Sequence, residues 1–307
     1  MRIVHNLSQL SQARRRVCLA IGFFDGVHLG HQQIIRQTTT DARQCEALAL
    51  IVTFDCHPNS VVAPDRSPPL IYPLARKLQV IESFGVDATL LIHFDKEFSQ
   101  RSGEEFVRAL ARDAGQIRSI CVGANFVFGH KRSGNVELLR KLGAELNFLV
   151  HGLAAVALDG KAVSSTRIRQ AIVAGNLDAA SQMLGRAYSL VGKVVSGDQL
   201  GRQLGFPTAN LDVGGLVLPP AGVYAAQAKT RSIFRRAVVN IGSRPTLQSP
   251  QPQIRVEAHL LDFIDDLYGQ ELELVFVDKL RDEKKFPSLA ELREQIARDI
   301  LDAQLKF

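Results

Sequence analysis

The chain has 307 residues, 46% hydrophobic and 22% charged, with a formal net charge of +6; that is room for two ordinary cores and excludes a disordered or fibrous protein. No apolar run approaches the ~18 residues of a spanning helix, and Arg14, Arg15 and Arg16 stand where a secretory signal would be apolar, so a soluble cytoplasmic protein with no membrane partner is expected. Residues 1–185 hold 21 Lys+Arg against 16 Asp+Glu, without a basic tract or an aromatic-interleaved stripe, which suits the phosphates of a small nucleotide better than a nucleic acid.

In chain order, VCLAIG (17–22), LALIVTF (48–54), ATLLIHF (88–94) and RSICVG (118–123) read as strands. Helical patterns lie between them: one from near His28 through Ile34 and Ile35, one with Leu78, Ile81 and Phe84, and one behind a Ser102/Glu105 capping box with Phe106, Val107 and Leu110 on one face. Alternation of this kind predicts a parallel sheet wrapped by helices, with ligands at the carboxyl ends of the strands. Four cysteines, Cys18, Cys45, Cys56 and Cys121, show no paired spacing and are expected to be buried thiols. After Leu184, runs such as YSLVGKVV, GVYAAQA, FRRAVVNIG, IRVEAHLLDF and ELELVFVDKL alternate at period two between turn residues, predicting a small antiparallel barrel or sandwich. A helix from Ser288, with Leu289, Leu292, Ile296 and Ile300 at helical spacing, closes the chain. The expected boundary lies in LGRAY (184–188), giving domains 1–184 and 185–307.

The first chemical signal is GFFDGVHLGHQ, Gly22 to Gln32, where the first strand meets the first helix. Gly22 and Gly26 let backbone approach a ligand, Gly30 bares a helix face, and His28 and His31, three apart, share a face at a positive helix N-terminus. A surface histidine pair and a metal site lacking a third ligand are the competing readings; the glycines and the strand-end position favour phosphate. In VSSTRIRQAIVAG (163–175), Ser165, Thr166, Arg167 and Arg169 open another helix and read as a helix cap or as a second anion clamp.

In the second half, Gly197, Gly201 and Gly205 precede Phe206, Pro207, Thr208, Ala209 and Asn210. Their loop can turn its amides toward phosphates, while Thr208 and Asn210, two apart in an extended segment, present oxygens to one side. Glycine-rich hairpin turns are the plainer alternative. On VEAHLLDF, Glu257 and His259 share one strand face: either the solvent side or, facing a nucleotide, the side of a general base. In LRDEKKF, which opens with Leu280 and Arg281, Glu283, Lys284 and Lys285 read as a solvated turn.

GxxDGxHxGH followed by SSTxxR resembles the nucleotidyltransferases whose HxGH motif binds ATP, and DGVHLGHQ is similar to the FMN adenylyltransferase module of bacterial bifunctional riboflavin kinase/FAD synthetases. VTFDCHPNSVVAP (52–64) and VGANFVFGHKRSGN (122–135) resemble that module's flavin-side segments. Similarly, GxxLGFPTAN, GVY (222–224), NIGSRPT (240–246), VEAHLLDF (256–263), DLYG (266–269) and LRDEKKF (280–286) resemble riboflavin kinase. The likeness departs at Cys56 and Asn59, where the family commonly has Pro and Arg, and at ANF (124–126), which replaces a commonly acidic residue.

This resemblance implies an α/β Rossmann-like nucleotidyltransferase domain followed by an all-β barrel kinase domain with a terminal helix. Riboflavin would be phosphorylated by ATP to FMN, and FMN adenylylated by ATP to FAD with release of pyrophosphate. Gly22, Asp25, Gly26, His28, Gly30 and His31 would hold ATP, and Ser165, Thr166, Arg167 and Arg169 the pyrophosphate. His57, Pro58 and Asn125 would meet FMN. In the kinase, Gly197, Gly201, Gly205, Pro207, Thr208 and Asn210 would bind ATP, Thr208 and Asn210 also Mg2+, with Glu257 as base and Arg281 and Glu283 helping to order the flavin. The expected partners are small molecules, with self-association left open. Another HxGH nucleotidyltransferase carrying a binding barrel, or an RNA-binding barrel, are the alternatives; the latter lacks aromatic platforms.

Overall fold

Five runs of apolar and β-branched residues and one terminal tripeptide assemble the first sheet: β1 (Arg2–Val4), β2 (Arg16–Ile21), β3 (Leu48–Phe54), β4 (Ala88–Ile92), β5 (Gln116–Gly123) and β6 (Leu149–Leu153). The computed structural model describes residues 1–10, 16–230, 232–244 and 253–307; Arg14, Arg15, Pro245 and Thr246 lie outside them. By internal contacts the chain divides into one unit of residues 1–70 and 74–165 and a second of 71–73 and 166–307.

In the first unit the strand order is β1-β4-β3-β2-β5-β6, every pair parallel. From β2 the chain builds outward through β3 and β4 on one side, then crosses to β5 and β6 on the other. The order therefore reverses beside β2, where open parallel sheets bind ligands. Continuous rather than alternating hydrophobic runs follow from burial of both faces: Leu19, Ile21, Leu50, Val52 and Ile120 enter one core, while Ala20, Ile51 and Cys121 enter another. The helices include α1 (Leu29–Gln44), α2 (Pro58–Val62), α3 (Leu74–Glu82), α4 (Gly103–Asp113) and α5 (Val136–Leu146). The Ser102/Glu105 capping box is formed. Phe84 lies past the end of α3, which stops because Gly85 turns the chain at φ 74°. Cys18 and Cys121 are buried as expected, whereas Cys45 and Cys56 are only half-buried.

The second unit contains α6 (Ser165–Val173, its first residue grouped with the first unit), α7 (Leu177–Leu184), a closed barrel and α8 (Leu289–Gln304). The barrel strands are β7 (Ser189–Val195), β8 (Ala209–Asp212), β9 (Gly222–Lys229), β10 (Phe234–Arg244), β11 (Gln253–Leu260) and β12 (Glu271–Arg281), in the order β7-β8-β11-β10-β9-β12. All its pairs are antiparallel. Leu190, Tyr224, Val239, Val256, Ala258 and Leu272 fill the interior. Strand β9 is buried on both faces because Val223 and Ala225 pack outward with Val238 against Ala303 and Ile300 of α8. That is why an apolar helix face follows the last strand.

Candidate active sites

At the end of β2 the backbone enters the left-handed region three times in four residues, at Phe24 (φ 57°), Gly26 (φ 75°) and Val27 (φ 41°). Glycine takes this conformation freely; Phe and Val do so at a cost that the surroundings must offset. Both are fully buried, and hydrogen bonds hold the turn. Gln32 Nε2 donates to the Val27 carbonyl at 3.0 Å and Ser165 Oγ to the Asp25 carbonyl at 3.0 Å. At Gly22 a Cβ would stand 3.0 Å from Cζ of Phe24, so the glycine makes room for that ring.

The turn delivers His28 as the N-cap of α1. Its Nδ1 accepts the His31 amide N–H at 3.4 Å, which in the neutral ring leaves the proton on Nε2. The two imidazoles stack at 3.6 Å between centroids, and the edge of Phe24 meets His31 at 5.3 Å. Stacked in this way at the start of α1, the pair can offer ring N–H donors to an anion. A Cβ on Gly30 would lie 3.3 Å from Cε1 of His28; the bare helix face is room for the imidazole. Among the described residues no group of three or more His, Cys, Asp or Glu is placed to hold a metal ion.

The neighbouring strand ends carry the other expected residues. His57 caps α2, its Nδ1 accepting from Asn59 N–H at 3.1 Å with Pro58 in the first turn, and its ring meets Phe23 edge-on at 4.9 Å. Two of the departures from the family pattern make side-chain bonds here: Cys56 Sγ donates to the Phe94 carbonyl at 3.5 Å and Asn59 Nδ2 to the Arg66 carbonyl at 3.4 Å. Asn125 is exposed just beyond β5. Thr166, exposed, and Arg167 and Arg169, half-buried, lie in the first turns of α6 and are grouped with the second unit.

One residue that the sequence did not single out is Lys77 of α3, which is 3% exposed. Its Nζ donates to the carbonyls of Phe23 (3.1 Å) and Phe54 (2.9 Å) and to Thr53 Oγ1 (3.3 Å). Burial pushes its ammonium down from the ordinary 10.5 to about 8, against the opposing pull of Asp25 and Asp55.

In the second unit, register builds the site. Asn210 on β8 and Asn240 on β10 both pair with Glu257 on the β11 strand between them, so the three form one row across the barrel wall. Val256, Ala258 and Leu260 point inward, leaving Glu257 and His259 half-buried on the outer face. A Cβ on Gly197 would stand 2.2 Å from the Asn210 amide, so that amide lies directly over the glycine. Gly201 likewise leaves room for the Phe206 carbonyl and Thr208 Oγ1, while Gly205, at φ 90°, turns the chain. His259 Nδ1 donates to the Pro207 carbonyl at 2.7 Å, tying the FPTAN segment to β11.

A cleft of about 330 Å³ gathers Gly201, Thr208, Asn210, Glu257, Arg281 and Glu283. A second, of about 540 Å³, shares Thr208 and is lined by Pro207, Phe263, Ile264 and Tyr268. Glu283 lies over Gly242. Arg281 is gripped by the buried Asp299 of α8, its Nε and an Nη donating to the two carboxylate oxygens at 2.8 and 2.7 Å. Asn240 and Asp299 were not anticipated; a register row and a helix contact leave no local mark in sequence.

Residues 10–167 match the family model described as FAD synthetase, and residues 184–307 that described as riboflavin kinase. A bifunctional riboflavin kinase/FMN adenylyltransferase from Escherichia coli K12 is 37% identical over all of this chain and 98% of its own length. One from Pseudomonas fluorescens is 36% identical over 99% and 97%. A crystal structure titled as a macrolide-efflux protein from Streptococcus pneumoniae has the same fold, with a TM-score of 0.82, 28% identity and 98% coverage of each chain. Among the described residues here no helix is long and apolar enough to cross a membrane. With both models matched in order and relatives aligned from end to end, the chain belongs to the family of bifunctional riboflavin kinase/FMN adenylyltransferases.

Proposed function

We propose that the two activities of this enzyme, phosphorylation of riboflavin and adenylylation of FMN, are carried by the two residue sets described above. The row Asn210–Glu257–Asn240 beside the two clefts that share Thr208 carries the kinase reading. Glu257 accepts the proton of the ribityl 5'-hydroxyl as that oxygen bonds to the γ-phosphorus and the bond to the β-phosphate oxygen breaks, leaving ADP. The smaller cleft, with Glu257 and Glu283, takes the flavin; the larger takes the nucleotide, and Gln199 and Thr208 lie where the two meet. Thr208 and Asn210 offer hard uncharged oxygens near the Glu257 carboxylate, a donor set that fits Mg2+ sharing its remaining positions with water and phosphate. Bound there with ATP, the ion would supply neutralisation of phosphate charge.

In the adenylyl transfer, an oxygen of the FMN phosphate attacks the α-phosphorus of ATP and pyrophosphate leaves. The nucleophile is already ionised and needs no base. His28 donates through Nε2–H, and His31 and Ser165 add donors for the charge that builds on the leaving group. Asp25 and the turn glycines shape the cradle, and His57, Pro58 and Asn125 meet FMN. Free cysteines at 18, 45, 56 and 121 suit the reducing cytoplasm, which we take as its compartment, with small molecules as its partners.

We place the functional boundary after Leu184, because every kinase residue named lies in 185–307. The test is the fragment 186–307 with riboflavin, ATP and magnesium, its products resolved by chromatography. FMN formation without FAD formation is the expected outcome, and a folded but inactive fragment moves the boundary toward residue 166.

A further inference from the structure

A lysine buried as deeply as Lys77 is rare, because an apolar side chain would fill the same space without desolvating a charge. An ammonium has three protons, and here three oxygens receive them: the Phe23 and Phe54 carbonyls and Thr53 Oγ1. The cation also sits 4.3 Å from the centroid of the Phe23 ring. Phe54 ends β3 and Phe23 begins the turn out of β2. A single side chain from α3 thus clamps two strand ends together, immediately before the left-handed residues Phe24, Gly26 and Val27 that deliver His28. Phe24 and Val27 cannot hold that conformation by intrinsic preference.

We propose that Lys77 is a positioning residue for adenylyl transfer: its three-way grip fixes the turn that aims His28 and His31 at the nucleotide phosphates. The inference rests on reading the two histidines as phosphate ligands. Neutral lysine has only two N–H protons, so deprotonation releases one arm of the clamp. The charged and titratable groups around it are Asp25 in the turn and Asp55 and Cys56 beyond β3, with His93 hydrogen-bonded to Asp55 and His57 against the Phe23 ring. Burial pushes the Cys56 thiol above its ordinary 9.0, so it does not titrate where Lys77 does.

Lys77 loses its proton near 8 in the folded chain and near 10.5 in the unfolded one. Between those values the unfolded chain binds the extra proton, and this group makes folding more favourable as pH rises. Loss of activity over the same range therefore has the opposite sign to any unfolding this residue could cause.

The test follows both activities of the full-length enzyme from pH 6.5 to 10: FAD formation from supplied FMN, and FMN formation from riboflavin. The wild type should lose FAD formation with a midpoint near pH 8 while riboflavin phosphorylation shows no such limb. Lys77→Met should lower kcat for FAD formation at pH 7 by roughly 10- to 100-fold, the scale of a sub-ångström to ångström misplacement. It should leave phosphorylation intact and abolish the limb. Lys77→Arg, whose charge persists, should retain at pH 9 the rate it has at pH 7. A Lys77→Met enzyme with the wild-type rate, or with the same limb, overturns the proposal, as does a wild-type limb shared by both activities. If His31→Ala leaves FAD formation unchanged, the phosphate reading itself has failed; if His31→Ala is inactive and Lys77→Met is not, only the positioning role has failed. Should the variants fold poorly, the two wild-type profiles decide alone.

Discussion

The two candidate sites of this enzyme keep their geometry in different places. In the first unit it is stored in a turn of four residues, three of them left-handed, and in the hydrogen bonds that hold them there. In the second it is stored in strand register, which sets Asn210, Glu257 and Asn240 side by side although they are far apart in the chain. Glycines serve both sites by different routes. Gly26 supplies a backbone angle, whereas Gly197 and Gly242 are floors on which the Asn210 amide and the Glu283 carboxylate lie. A turn-built site fails when its backbone relaxes; a register-built site fails when a side chain is displaced or its charge removed.

The sharpest way to break this comparison is to delete the chemistry of one site and read both activities. Glu257→Gln keeps the size of the side chain, so the row across the barrel survives while proton acceptance is lost. FMN formation should fall by ~10² to 10⁴, the usual contribution of a general base, with FAD formation from supplied FMN unchanged. His31→Ala should give the reciprocal result: FAD formation down by on the order of 10² or more, as for other preorganised donors, and phosphorylation unaffected. Equal loss of both activities in either variant would mean that the sites are coupled, and a melting curve would separate coupling from misfolding. An unchanged phosphorylation rate in Glu257→Gln would return that residue to the solvated face of its strand.

The same contrast explains what could be read from sequence. Strand β3 was legible over Leu48–Phe54 because burial on both faces writes an unbroken apolar run, and the Ser102/Glu105 capping box because its signal is local. Contiguous motifs, DGVHLGH and GFPTAN, were legible for the same reason. The edge strands β1 and β6 were not: their burial is partial, so their apolar signal is weak. Asn240 matters only through the register of β10 on β11, and Lys77 reads as an ordinary cation between Arg76 and Leu78 on a helix. Its three acceptors come from two other segments. Arg281 was anticipated as a flavin-ordering group, yet its fork is taken up by Asp299, a partner 18 residues away on α8 that strand alternation does not reveal.

A smaller effect sharpens the comparison further, because it separates stability from activity at one atom. Gly30 lies in the first turn of α1, and its φ is not in the left-handed range, so alanine is allowed there. In a helix alanine is favoured over glycine by up to about 1 kcal/mol, which predicts a slightly higher melting temperature for Gly30→Ala. The added Cβ would sit 3.3 Å from Cε1 of His28, tighter than an ordinary contact, and the imidazole must yield by a few tenths of an ångström. Since a displacement of about 1 Å in a positioned group can cost 10²-fold, a shift of that size should lower FAD formation by roughly 3-fold and leave FMN formation untouched. A more stable enzyme with a slower adenylyl transfer would place the function of Gly30 in the space it leaves for His28. A variant with unchanged kinetics would show that the stacked pair tolerates such a shift, and that the N–H donors of this site are aimed less tightly than the strained turn beneath them suggests.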